Sequence, residues 1–218
     1  VTAPFISQQD VANVLKRTPD ATPWAIAIDA ACEMVRGECR QHLNYEQDDT
    51  VELQGSREDV LWLPQRPVAD VSAVSIYWRG MTQVIGVGSL KWTRRGELFA
   101  RWDPGIVLNG WTDWDYGTWG GAEGTLVTVT YSHGYAPTED AVTPTVPRMP
   151  SDIRRIAISV AARILERTSE EAKDEIGYVG QNSRSVEDPQ MYLKEDECKA
   201  LRRYRLPSVT TSVGVMSL

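Results

Sequence analysis

Histidine is nearly absent from this chain: His42 and His133 are the only two in 218 residues. With so few, no zinc-ligand spacing can be assembled from the sequence, and a Ser-His-Asp arrangement would have to use one of these two. Cysteine is scarce as well, at Cys32, Cys39 and Cys198. Cys32 and Cys39 are seven residues apart on an expected helix, which puts their Cα atoms roughly 10 Å apart, too far for a disulfide. An odd count without framework spacing points to a reducing compartment. No apolar run approaches the length of a membrane span. The opening VTAPFISQQD has no basic region and no apolar core, so no signal peptide is expected there. The initial Val is read as a removed Met or a literally translated GUG start. A basic excess is also missing. The net charge of -7 argues against a protein whose main task is to grip nucleic acid through phosphates, although not against one that surrounds DNA without holding it.

Motifs that would carry chemistry are missing too. No P-loop, G-x-S-x-G or H-E-x-x-H occurs. His133 follows a strand pattern and precedes Gly134, which reads as turn chemistry. The carboxylates Glu170, Glu171, Asp174 and Glu175 read as a solvated face. Cys32, Cys39 and His42 share a helix but not a face, and they lack a fourth ligand, so they read as packing cysteines and a rim histidine. Asp113-Trp114-Asp115-Tyr116-Gly117 echoes a calcium loop, but the twelfth position is Gly124 rather than a bidentate Glu. The expectation is no catalytic residue, no cofactor and no metal.

What is present is a strongly periodic helix. Ile153, Ile156, Ala157, Val160, Ala161, Ile164 and Leu165 draw one apolar stripe from Ser151 to about Arg167, with Asp152 in the first turn and Arg163 and Arg167 in the last. A matching stripe lies near the N-terminus. Ser7 and Asp10 predict a capping box for a short helix over 8–17, edged by Val11, Val14 and Leu15. Thr22 and Pro23 then start a longer helix running to about Leu43, with Ile28, Ala31, Cys32, Val35, Cys39 and Leu43 on one face. The two stripes are expected to pack as one core.

Between them the period changes to two. Strands are expected at 51–53, 60–63, 71–78, 90–94, 97–102 and 125–133, with Pro64 and Pro67 marking a corner. In 71–78, Val71, Ala73, Ser75 and Tyr77 are placed on one face and Val74, Ile76 and Trp78 on the other. Arg79-Gly80 and Arg95-Gly96 are turns. In the last strand Val127, Val129 and Tyr131 oppose Leu126, Thr128 and Thr130. Residues 136–150 carry four prolines and read as an extended return. The fold class is therefore α+β. A discontinuous helical core of residues 1–48 with 147–206 carries a β-rich insertion, 49–146, and an extended arm, 207–218. At this length the chain can bury roughly 70% of its unfolded surface and needs no staples.

Two segments stand apart. Residues 109–124 form a Gly-rich loop with Trp111, Trp114, Tyr116 and Trp119. Exposed aromatics of this kind need cover. They fold back onto the sheet, cover a neighbouring subunit, or bind sugar. As subunit-interface anchors, Trp111, Trp114 and Trp119 replaced together by Ser should leave the isolated fold intact and weaken assembly. The tail from Leu206 has no charged side chain. Pro207 starts it extended, and Val209, Thr211, Val213 and Val215 share one face, followed by Met216 and Leu218. It is expected to be disordered when free and to add a strand to a sheet edge of a partner.

Three features together resemble the head-to-tail connector, or adaptor, proteins of long-tailed bacteriophages. They are the short helix followed by a long one; the run Leu63, Pro64, Pro67, Val68, Val71 and Val74; and the helix start Pro150, Asp152, Ile153, Arg154 and Ala157 with a closing short basic helix ending in Leu201–Arg205. The segment 79–124 is longer than the family's short hairpins. The resemblance implies a virion structural protein of the neck, assembled in the host bacterial cytoplasm as a ring, dodecameric, below the portal. The tail would be the portal-binding arm. The next connector or a tail terminator would dock on the other face, and double-stranded DNA would pass through the lumen without sequence-specific binding. No membrane is involved. Arg154, Arg155, Arg202, Arg203 and Arg205 are the basic residues that could face DNA or a partner, or could instead complete ion pairs and helix ends. The alternative class is a carbohydrate- or receptor-binding virion module using the Trp-rich loop.

Overall fold

The computed structural model describes residues 3–19, 21–55, 58–99, 119, 124–136, 142–177 and 193–206, the side chains at 21, 89 and 168–177 excepted. The chain is α+β. It divides into two compact units, residues 1–41 with 150–218, and residues 42–149.

The first unit is helical. Helix α1 (Gln8–Leu15) begins with the expected capping box: the Asp10 N–H donates to the Ser7 hydroxyl at 3.1 Å, and the Ser7 N–H donates to the Asp10 carboxylate at 2.8 Å. Its buried side chains are Val11 and Ala12, whereas Val14 is exposed. Helix α2 (Ala21–Cys39) starts before Pro23 and stops earlier than the apolar spacing predicts. The physical reason lies in the backbone of Arg40, which turns left-handed at φ 55. The Gln41 N–H then returns to the Arg36 carbonyl and the Arg40 N–H to the Gly37 carbonyl, the paired bonds of a Schellman ending. Leu43, expected on the helix, lies beyond this turn.

Helix α3 (Ser151–Gly177) packs against α2, with α1 against both. Ile28, Ala31, Cys32, Val35 and Cys39 on α2 and Ile153, Ile156, Ala157, Val160 and Ala161 on α3 are all buried. Each large aliphatic side chain removed from water here contributes about 1.5–3 kcal/mol. The helix runs ten residues past the end expected at about Arg167; Thr168–Gly177 holds three Glu, one Ala and one Lys, residues of good helix preference.

Helix α4 (Glu195–Leu201) closes the unit, followed by one 3-10 turn, Arg202–Tyr204. It is acidic rather than basic; the arginines follow it. Leu201 is fully buried. The Leu206 N–H donates to the Cys39 carbonyl at 3.1 Å, and the Gln41 amide donates to the Tyr204 carbonyl at 2.7 Å. The end of this segment is thus tied to the C-terminal turn of α2, satisfying a carbonyl that a helix end leaves without a partner.

The second unit is two antiparallel sheets. Strands β1 (Glu46–Gln54), β3 (Val68–Trp78), β4 (Met81–Ile85) and β7 (Leu126–His133) form the larger, in the order β1-β7-β3-β4. Strands β2 (Val60–Trp62), β5 (Lys91–Trp92) and β6 (Glu97–Phe99) form the smaller, in the order β2-β6-β5. Leu61, Leu63, Leu90 and Leu98 meet Val68, Val71, Val74, Ile76, Val127, Val129 and Tyr131 in one core between them.

The alternation expected of β7 holds: Val127, Val129 and Tyr131 are buried, and the intervening Leu126, Thr128 and Thr130 are half-buried. In β3 the face of Val71 differs from the expectation. The pairing with β7 shifts register between Val71 and Ala73, and earlier between Val68 and Asp70. One extra residue moves every side chain before it to the other face. Val71 therefore joins Val74 and Ile76 in the core, while Ala73 and Tyr77 face out. The Arg79-Gly80 turn has φ 47 and φ 81, the two positive values of a two-residue hairpin loop, and it creates β4, a strand not expected from its sequence.

Candidate functional site

The residues singled out from the sequence fall into three groups. Trp119 is the described member of the aromatic loop, and it is a core residue. It is fully buried against the sheets, its indole N–H donates to the Leu98 carbonyl at 3.0 Å, and its own N–H donates to the Glu58 carbonyl at 3.1 Å. This corrects its candidacy as a subunit-interface anchor: a side chain with no exposed surface and a satisfied N–H has nothing to offer another chain. Trp111, Trp114 and Tyr116 lie outside the described residues, as do Pro207, Val209, Thr211, Val213, Val215, Met216 and Leu218 of the expected arm.

The basic candidates are mostly neutralised within the helical unit. Arg154 donates to both carboxylate oxygens of Asp10 at 3.3 Å. Arg203 is ion-paired with Asp152 and stacks its guanidinium 4.9 Å from the Tyr204 ring centre. Asp152 also accepts from the Tyr204 hydroxyl at 2.9 Å, so one acid joins the start of α3 to the turn that follows α4. Arg205 lies 3.9 Å from Glu38. Arg155 and Arg202 are exposed and have no ion-pair partner among the described residues.

The most specific pair in this unit was not anticipated. Arg163 on α3 makes two 2.8 Å bonds to the Glu197 carboxylate on α4. Glu197 also accepts from the Lys194 N–H at 2.8 Å, so one carboxylate caps α4 and ties it to α3. Burial pushes this carboxyl up, but the Arg163 bonds, the Lys194 N–H and the nearby charges outweigh it, and the net position is below the ordinary value of 4.5.

The cysteines are packing residues: Cys32 and Cys39 are fully buried. Burial, with Glu38 adding to it, pushes the Cys39 thiol up to about 12, and burial raises Cys32 as well. Neither has the thiolate character of a nucleophile or redox centre.

Sequence reasoning missed one constellation. At the end of β7, His133 is 1% exposed. Its Nε2 lies 3.1 Å from Asp49 Oδ2 and 4.0 Å from Glu46 Oε2, both on β1. In a regular strand, residues 46 and 49 would point to opposite faces. Here the pairing slips between them, and Asp48 takes φ 53. The slip is held in place by the Asp48 N–H donating to Ser132 Oγ at 3.2 Å and by Ser72 Oγ donating to Asp48 Oδ1 at 3.1 Å. Burial favours the neutral imidazole and lowers its pKa despite the carboxylates beside it. The signal that could have found this group is the acidic run Glu46, Asp48 and Asp49 opening one strand with a histidine closing another.

No family model matches the chain, and no curated protein matches it. Among solved structures, it is similar to a chain from the neck of an empty GTA particle computed with C6 symmetry, with 17% identity, 97% of this chain and 96% of that chain covered, and a TM-score of 0.49. It is also similar to a chain from the virion of a native gene transfer agent (GTA) particle, with 14% identity, the same coverage of 97% and 96%, and a TM-score of 0.47. A third likeness is to a chain from the neck of a native GTA particle computed with C12 symmetry, with 15% identity, coverage again of 97% and 96%, and a TM-score of 0.41. Likenesses of this strength carry no functional argument; that rests on the chain's own residues.

Proposed function

We propose that this protein is a structural component of a phage-type virion neck, a head-to-tail connector. In this reading twelve copies form a ring below the portal, the arm 207–218 docks on the portal, and the opposite face receives the next connector or a tail terminator. Double-stranded DNA passes through the lumen, and the chain performs no catalysis.

The observation that carries the reading is where the connector-like motifs fall. The short and long helices are α1 and α2. The Leu63–Val74 run makes the corner into β3. The Pro150–Ala157 run starts α3, and the closing arginines follow α4. They fall in order on one plan, a helical unit from both chain ends with a β unit between. Two further features support it. The arm departs from Leu206, which is tied to the Cys39 carbonyl, so it starts from a defined point. Arg154, Arg203 and Arg205 are each matched by a carboxylate, and the net charge is -7, which suits a channel that must let DNA slide.

Light scattering on the 24.4 kDa chain with and without the portal protein of its particle tests the assembly. A ring running far above monomer mass in the presence of portal is expected; a monomer under both conditions would sink the proposal. Deleting residues 207–218 should leave melting unchanged and abolish portal attachment. Particles made without the protein should appear by electron microscopy as full heads lacking tails.

A further inference from the structure

The bulged end of β1 and the end of β7 bring three ligating groups of different kinds around one point. His133 Nε2, one oxygen of Asp49 and one of Glu46 all lie within 4.8 Å of one another. We propose that Glu46, Asp49 and His133 bind one divalent transition cation of the zinc class, stapling β1 to β7.

The distances suit such an ion. A zinc ion holds its nitrogen and oxygen ligands at about 2.0–2.2 Å, which sets tetrahedral ligand atoms roughly 3.3 Å apart. The His133 to Asp49 separation of 3.1 Å already matches, and the His133 to Glu46 separation of 4.0 Å is a little wide. Glu46 is the mobile member, since its side chain is 55% exposed and turns about several single bonds. It can move in without disturbing the fold. The imidazole is the fixed member, buried and set against the Tyr131 ring at 5.0 Å between centres.

The donor set selects the cation. One imidazole nitrogen and two carboxylate oxygens suit zinc or a neighbour in its row. Calcium and magnesium prefer oxygen alone. Three protein ligands leave the remaining positions to water, as in sites that are not closed by a fourth side chain.

The backbone is arranged for convergence. Glu46 pairs directly with His133 in the β1–β7 register, and the slip between Glu46 and Asp49 turns the second carboxylate to the same side. The arrangement also concentrates negative charge. Glu46, Asp48 and Asp49 open one strand, while a neutral imidazole N–H can bond to only one acceptor there. A dication offsets that repulsion. If His133 and Asp49 form a hydrogen bond and nothing more, Glu46 has no part in the arrangement, and this difference makes the two cases separable.

The test is calorimetric titration of the full-length chain, stripped with chelator and desalted, with Zn2+, in a Cys198→Ser background so that the partly exposed thiol does not compete. One ion per chain is expected, together with a rise in melting temperature. Glu46→Gln and Asp49→Asn should each weaken binding by about tenfold or more, since changing even the groups that hydrogen-bond to a metal's ligands costs that much. Glu46→Gln is the decisive variant, because its side chain is largely exposed and the fold does not depend on it. Co2+ in the same Cys198→Ser background should show no thiolate charge-transfer band. The proposal fails if the parental chain shows no saturable binding, if Glu46→Gln binds like the parent, or if the Co2+ spectrum reports a thiolate ligand.

Discussion

Replacing Trp119 by Ala should unfold the β unit rather than loosen an assembly. The side chain is fully buried between the two sheets, where it meets residues of the core that Leu98, Val127 and Tyr131 also line. Truncating a buried Trp to Ala costs about 3–5 kcal/mol in lost transfer energy and cavity formation. The Leu98 carbonyl also loses the indole donor 3.0 Å away, which adds about 1 kcal/mol or more. The sum, about 4–6 kcal/mol, is a large part of the roughly 5–15 kcal/mol that holds a typical domain folded. Trp119→Phe keeps most of the ring and loses the N–H, so it should fall well short of the Ala variant. Urea unfolding followed by far-UV circular dichroism gives the stability change, and hydrogen exchange at the amides of β2, β6 and β7 locates it. A Trp119→Ala protein within about 1 kcal/mol of the parent, with unchanged β-sheet protection, would refute the placement of this side chain in the core.

Three further outcomes follow from the geometry. Val160→Asp puts a carboxylate at a position 1% exposed on the face α3 turns to α2, and should cost several kcal/mol, read as a lowered melting temperature. Gly134→Ala would set a Cβ 2.0 Å from the Asn44 carbonyl oxygen at φ 95; this atom and the two next nearest, Asn44 C and Tyr45 N, are backbone and cannot swing aside, so a loss of roughly 3 kcal/mol or more is expected in urea unfolding, with Gly134→Asn no better. Glu197 has its folded-state pKa lowered, so its stabilisation is complete above the ordinary value of 4.5 and is lost as pH falls through the lowered folded value; Glu197→Gln should cost roughly 1.5–3 kcal/mol at pH 7 and flatten the acid limb of the stability curve, and an unchanged acid limb would contradict the pairing with Arg163.

The elements readable in the sequence are those whose side chains repeat with the period of the backbone. The α2 and α3 stripes and the alternation of β7 are of this kind, and they bury the residues their spacing selects, save Ile164 near the end of the α3 stripe, which is half-buried. Elements held by something other than burial escaped. The strand Met81–Ile85 has Met81 and Val84 exposed; its place is set by the turn before it, so its own residues show little alternation. The second part of α3 forms on intrinsic helix preference where the apolar stripe has already ended. The stop of α2 depends on one left-handed Arg, a conformation that Gly or Asn would have advertised and Arg does not.

The cluster at His133 was illegible for a related reason. Metal-ligand spacings can be read from sequence where the ligands share a regular element, because the period then fixes which residues meet. His133 and Asp49 are 84 positions apart, and only the strand pairing brings them together. Within β1 the regular period would also have separated Glu46 from Asp49. Their convergence needs the extra residue, Asp48, in the left-handed conformation that most side chains avoid, held by Ser132 and Ser72 on two other strands. A feature specified by serines on β7 and β3 cannot be inferred from the letters of β1. A separate slip, in the β3–β7 pairing, puts Val71 on the core face of β3 while Ala73 faces out. In this sheet, then, the departures from period two decide both which side chains reach the core and which carboxylates meet the histidine.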